Sequence, residues 1–289
     1  MTQKDCGPAK AQRRIGTATL SYSPYSGAQQ LFASLRSCGH VLFWILLVSV
    51  LALACSPNEK KPEIIVAAAS DLTPAFEELG RIFEQSHPQK VIFSFGSSGM
   101  LARQIENGAP MDLFAAANSQ YIDDLERKGL IVPGTRAVYA RGRITIWTTK
   151  DSPLTIEKIE DLIQPGVKRI AIANPEHAPY GTVALEALKT ARIWDEIQPR
   201  IIYGENIRQT LQFVQTGNVD VAFVALSLSL RTDGRWVLVP QELHRPLDQA
   251  LGVIKGARHE QAAREFATFI NSPQGREIMR NFGFTLPGE

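Results

Sequence analysis

From Glu63 onward, short apolar runs alternate with amphipathic stretches. Ile64-Ile65-Val66 leads into Ala67-Ala68-Ala69, the pattern of a strand buried on both faces. Phe76, Leu79, Ile82 and Phe83 then fall at helical spacing. Val91 to Phe95 reads as a second strand, Met100, Leu101 and Ile105 as a helix, and Asp112 to Ala116 as a third strand. The theme returns later in the chain. Ile144–Trp147, Ile170–Ala173, Ile201–Tyr203 and Val221–Val224 read as strands. Helices are predicted from about Thr182 to Thr190 and around Ile207, Leu211 and Val214. Near the end, Phe266, Phe269 and Ile270 mark one helix, and Ser272-Pro273 opens another, with serine as cap and proline in the first turn. Strands separated by helices imply βαβ units and parallel sheets, hence an α/β fold of two units of roughly a hundred residues each.

A different pattern precedes this region. Val41 to Ala54 is an apolar run of about fourteen residues, the length of a signal-peptide core and short of the ~20 needed to span a bilayer. Arg36 supplies positive charge upstream. Leu51-Ala52-Leu53-Ala54-Cys55 resembles a bacterial lipobox, although Ala52 stands where leucine is commonest. Residues 1–54 are therefore read as a signal peptide, Cys55 as the lipidated residue, and 55–62 as a polar tether between membrane and domain. The competing readings are a signal without lipid or a buried helix. The implied location is the periplasm or cell surface, with contact to the membrane only through the lipid.

Charge follows the same division. Of 31 basic and 29 acidic residues, five and one respectively precede Cys55, which leaves 26 and 28, a charge of about −2. That balance gives no support to nucleic-acid binding. The cysteines are Cys6, Cys38 and Cys55, so the folded part can hold neither a disulfide nor a thiolate-bound metal. A domain of this size buries enough apolar surface without such staples.

Four strand-to-helix turns share one chemistry. They are Ala69-Ser70-Asp71-Leu72-Thr73-Pro74, Phe95-Gly96-Ser97-Ser98-Gly99-Met100, Asn174 to Thr182, and Gly204-Glu205-Asn206-Ile207-Arg208. A helix start leaves backbone N–H groups unpaired and carries about half a positive charge. Four such ends aimed at one point would offset about two negative charges, the charge of a tetrahedral dianion. Each serine taken alone is more often a plain helix cap. Four such turns, two in each half of the chain, shift the balance toward an anion.

Together these residues resemble the periplasmic molybdate-binding proteins. The resemblance rests on Ala67-Ala68-Ala69-Ser70-Asp71-Leu72, Phe95-Gly96-Ser97-Ser98-Gly99, Gly108-Ala109-Pro110-Met111-Asp112-Leu113-Phe114, Asn174 to Gly181, and Glu205-Asn206-Ile207-Arg208, in the family's order. It implies a two-lobed periplasmic-binding-protein fold with two crossovers, lobe 1 being 63–142 plus 240–289 and lobe 2 being 143–239. The ligand, molybdate or tungstate, would lie between the lobes. Ser70 and Ser98 would donate from hydroxyl and backbone, Tyr180 and Ile207 from backbone N–H. Molybdenum would be held only through its oxygens, with no cofactor and no residue ligating the metal. The implied partners are an ABC-transporter permease with its ATPase, and the chain would act as a monomer. Many relatives carry a tyrosine where this chain has Ala225. The Tyr180 hydroxyl is the first candidate to replace it and Ser227 the second.

Two other classes remain in view. Sulfate, thiosulfate or phosphate would suit the same architecture, although protonated phosphate asks for a carboxylate acceptor, for which Asp71 and Glu205 are the nearest candidates. A periplasmic hydrolase could use His177 beside Glu176, but neither a G-x-S-x-G nor an H-E-x-x-H motif occurs. The sequence is therefore read as a non-enzyme, with His177 on the surface or in a loop and Asp71 as an ordinary helix-start acid.

Overall fold

The computed structural model describes residues 62–289. The proposed signal, Cys55 and the tether up to Lys61 lie outside the described residues. In chain order the first elements are β1 (Glu63–Ala69), α1 (Thr73–Ser86), β2 (Lys90–Gly96), α2 (Ser98–Glu106), β3 (Leu113–Ala116), α3 (Ser119–Arg127) and β4 (Ala137–Gly142). They are followed by β5 (Ile144–Thr148), β6 (Ile170–Ala173), α4 (Pro179–Thr190), α5 (Trp194–Ile197), β7 (Ile201–Gly204), α6 (Ile207–Gln215), β8 (Val221–Ala225), α7 (Leu226–Ser229) and β9 (Arg235–Leu238). The chain ends with β10 (Leu247–Val253), α8 (Glu260–Ile270) and α9 (Pro273–Asn281).

These elements form two five-stranded sheets, ordered β2-β1-β3-β10-β4 and β7-β6-β8-β5-β9. Within the first, β1 runs parallel to β2 and β3, while β10 is antiparallel to β3 and β4. Within the second, β6 is parallel to β7 and β8, while β5 is antiparallel to β8 and β9. The plan is the same in both: a parallel βαβ half plus one antiparallel strand brought in from across the molecule. The chain crosses between sheets at Arg143, directly between β4 and β5, and again between β9 and β10. This is a two-lobed α/β fold with two crossovers.

Central strands read as continuous apolar runs because helices cover both faces. Every residue of β3, β6 and β8 is buried. Phe76 and Phe83 of α1 pack with Phe266 of α8, at centroid separations of 6.3 and 5.1 Å. That contact returns the C-terminal segment to lobe 1. On the other face of the sheet, Leu101 and Ile105 of α2 pack with Phe114, Ile122 and Leu125.

Three strands and three helices, α3 and the four-residue α5 and α7, were not read from the sequence. β4 and β9 are edge strands whose outer residues stay exposed, so their apolar pattern is broken. β10 carries Asp248, Gln249 and Gly252 within a strand that is otherwise buried. α3 shows only Ile122 and Leu125 to the core. The start of α4 also moves from about Thr182 to Pro179, since proline suits a first helical turn and Gly181 allows that turn to press on the end of β6. A Cβ at Gly181 would collide with the Ala173 carbonyl.

Candidate functional site

All four turns meet at the junction of the lobes. They surround a small void of about 10 Å³ lined by Ser70, Asp71, Ser97, Ser98, Tyr180 and Ile207 together with small apolar residues. Ser70, Ser98, Tyr180 and Ile207 are all buried. The first turn departs from expectation. Ser70–Leu72 is a turn of 3-10 helix, and α1 begins only at Thr73. Three α-helix starts and one 3-10 turn therefore face the void.

Capping decides which donors stay open. Ser98 is the first residue of α2, and the neighbouring Gly99 N–H is taken by the His177 carbonyl at 2.9 Å. Tyr180 follows Pro179 in the first turn of α4, ahead of any intrahelical acceptor. At α6 the Asn206 side chain caps the N–H groups of Arg208 and Gln209, at 3.0 and 3.2 Å, and leaves that of Ile207. Among the described residues, the N–H groups of Ser70, Ser98, Tyr180 and Ile207 have no acceptor.

Neither serine is a helix cap. The cap positions of the 3-10 turn and of α2 are Ala69 and Ser97, and neither makes a side-chain capping bond. Ser98 Oγ accepts the Ala117 N–H at 3.0 Å, which leaves its own proton to give elsewhere. No lysine or arginine lines the void. Positive potential there comes from oriented N–H groups, about half a charge for each α-helix end.

The Tyr180 hydroxyl does not serve as the spare donor. It is committed to Asp71, donating to Oδ2 at 3.0 Å. Ser227 is also committed, donating to the Asp71 carbonyl at 2.7 Å. Ala225 is fully buried at the end of β8 and does not line the void. The fifth-donor candidates drawn from sequence are therefore corrected on geometric grounds.

Asp71 is more than a helix-start acid. It is fully buried and bridges the lobes, with Oδ2 also accepting from Gln249 at 2.6 Å. Gln249 accepts in turn from Tyr139 at 3.0 Å. Burial pushes the Asp71 carboxyl up to about 6, only partly offset by the Gln249 and Tyr180 hydrogen bonds. The two phenols rise well above their usual range through burial and then through the Asp71 charge. A Cβ at Gly142, beside the first crossover, would strike the Tyr180 hydroxyl and the Gln249 amide.

His177 is in a loop, as read, but it is buried rather than on the surface. Its Nδ1 lies 2.9 Å from Ser97 Oγ, while Glu176 is exposed and makes no pair with it. The arrangement suits a tie between lobes and lacks the histidine–carboxylate pair a hydrolase would use. Ser97, Gln249 and Tyr139 were not singled out in the sequence. The one available sign was a polar pair, Asp248-Gln249, inside an apolar run.

A family model for bacterial extracellular solute-binding proteins matches residues 64–285. The chain belongs to this family. Among its relatives, the molybdate-binding protein ModA of Azotobacter vinelandii is 32% identical over 238 residues, covering 81% of this chain and 93% of its own. A putative ABC transporter substrate-binding lipoprotein of Bacillus subtilis, YvgL, is 29% identical over 249 residues, covering 83% and 95%. The solved A. vinelandii periplasmic molybdate-binding protein superposes with a TM-score of 0.74 at 28% identity, over 78% of this chain and 99% of its own. The family's architecture of two lobes is the one described above, and these relatives carry the names of binding proteins rather than enzymes.

Because neither serine caps a helix, Ser70→Ala should change unfolding stability by less than the ~1 kcal/mol a lost cap costs. Ser98→Ala strands the Ala117 N–H and should cost about 1–3 kcal/mol. Urea unfolding of the two variants checks both values.

Proposed function

We propose that this chain is an exported receptor that captures molybdate or tungstate and delivers it to an ABC-transporter permease with its ATPase. The observation that carries the reading is the set of four N–H groups without acceptors around a cation-free void between two lobes. A tetrahedral dianion offers only acceptors, and every open group of that set is a donor. In this reading Ser70 and Ser98 bind by hydroxyl and backbone, and Tyr180 and Ile207 by backbone alone. The protein itself performs no chemistry, uses no cofactor and acts as a monomer. The names carried by its relatives support molybdate over sulfate, thiosulfate or phosphate.

The same reading assigns 1–54 to a removed signal, 55–62 to a tether, and lobes of 63–142 plus 240–289 and of 143–239. Cys55 carries lipid and holds the receptor at the membrane surface, consistent with the name of the Bacillus relative. Cys55→Ser should abolish metabolic labelling with palmitate, and equal labelling of the variant would contradict the anchor.

Titration calorimetry against molybdate, tungstate, sulfate and phosphate tests the ligand. Molybdate and tungstate should bind tightly and the other two weakly or not at all. A thousand-fold excess of ligand over Kd should add about 4 kcal/mol to stability. Each Ser→Ala change removes one hydroxyl donor to a charged group and should weaken binding roughly ten- to a hundred-fold. Tight phosphate binding with none to molybdate would overturn the assignment.

A further inference from the structure

Asp71 is the one acidic residue among those that line the void. It is fully buried, and its two oxygens are treated differently. Oδ2 accepts from both Tyr180 and Gln249. Oδ1, equally buried, meets no donor at all. Its neighbours are Tyr180 from α4, Tyr139 from β4, Gln249 from β10 and Ser227 from α7; α6 packs on the same turn and carries Arg208, which lines the adjoining cleft with Ser70 and makes no hydrogen bond to Asp71. The Nδ1 of His177 is paired with Ser97 Oγ at 2.9 Å.

An ionised Asp71 would therefore place a bare buried oxygen against a dianion. Both the missing donor and the like charge disfavour that state. A proton on Oδ1 removes both penalties. It neutralises the wall, leaves Oδ2 accepting from Tyr180 and Gln249, and turns the orphan acceptor into a donor. The oxyanion supplies the acceptor that this new O–H needs.

Resting on the reading of this chain as an oxyanion receptor, we propose that Asp71 is a fifth binding residue that holds the dianion as the neutral acid. Closure on the ligand takes one proton from solvent onto Oδ1, and no bond within the oxyanion is made or broken. Asp71 thereby does the work of the hydroxyl absent at Ala225. It also favours a fully ionised anion, since a proton on the ligand would compete for the same contact. Burial already moves the carboxyl in this direction before any anion arrives.

The sign of the linkage follows. The complex binds one more proton than free protein plus ligand, so affinity falls about tenfold per pH unit above the pKa of Asp71 in the free protein. Between about pH 6 and 8, where molybdate stays fully ionised, Kd should rise roughly thirty- to a hundred-fold. Calorimetry at pH 7 in PIPES and in imidazole, whose ionisation enthalpies differ, should report close to one proton taken up per molybdate. Asp71→Asn keeps both an acceptor for Tyr180 and Gln249 and an N–H for the anion, so its affinity should be flat with pH and its proton uptake lost. Tight wild-type binding with a flat Kd and no proton exchange overturns the proposal and leaves the receptor reading standing. Uptake that persists in Asp71→Asn overturns it as well. No molybdate binding at any pH overturns both readings.

Discussion

A doubly charged anion can be held without a cation only if the fold leaves enough donors unspent and points them at one place. That constraint organises this structure. A helix start always has N–H groups ahead of its first intrahelical acceptor. Here the chain delivers Ser98, Tyr180 and Ile207 in the first turns of α2, α4 and α6, and adds Ser70 from a 3-10 turn. Neighbouring N–H groups are used up elsewhere: Gly99 by the His177 carbonyl, Arg208 and Gln209 by Asn206. The selectivity of the capping is what leaves a compact cage. Since Ser70 and Ser98 belong to one lobe and Tyr180 and Ile207 to the other, the cage is complete only when the lobes meet.

The contacts that bring the lobes together are polar and buried, which makes them conditional. Asp71 and His177 are the two hubs. Asp71 collects Tyr180 and Ser227 from the opposite lobe, and His177 reaches back to Ser97 and Gly99. Buried hydrogen bonds add little net stability when made and cost much when half-satisfied. One buried oxygen of Asp71, Oδ1, has no donor among the described residues.

Much of this was legible in the sequence because it is local. Alternating apolar runs and helical periodicity gave the α/β units, and the turn residues gave the four anchor points of the void. What stayed hidden depends on long separations. Gln249 and Asp71 are 178 residues apart, and only the fold reveals that a glutamine within an apolar strand is paired. Ser98 was visible as a serine at a turn, but the use of its hydroxyl oxygen is set by the N–H of Ala117, nineteen residues away. Tyr180 shows the limit most clearly. Its position in the chain was read correctly, yet the direction of its hydroxyl is set by Asp71 in the other lobe.

The central claim is that oriented backbone N–H groups hold the anion, with no arginine or lysine in contact with it. Amide chemical shifts of nitrogen-labelled protein, recorded with and without molybdate, test this at single residues. The account predicts that the N–H signals of Ser70, Ser98, Tyr180 and Ile207 move furthest downfield on binding and become protected from exchange with solvent. Small shifts at these four amides, with the principal changes at the guanidinium groups of Arg208 or Arg231, would contradict it.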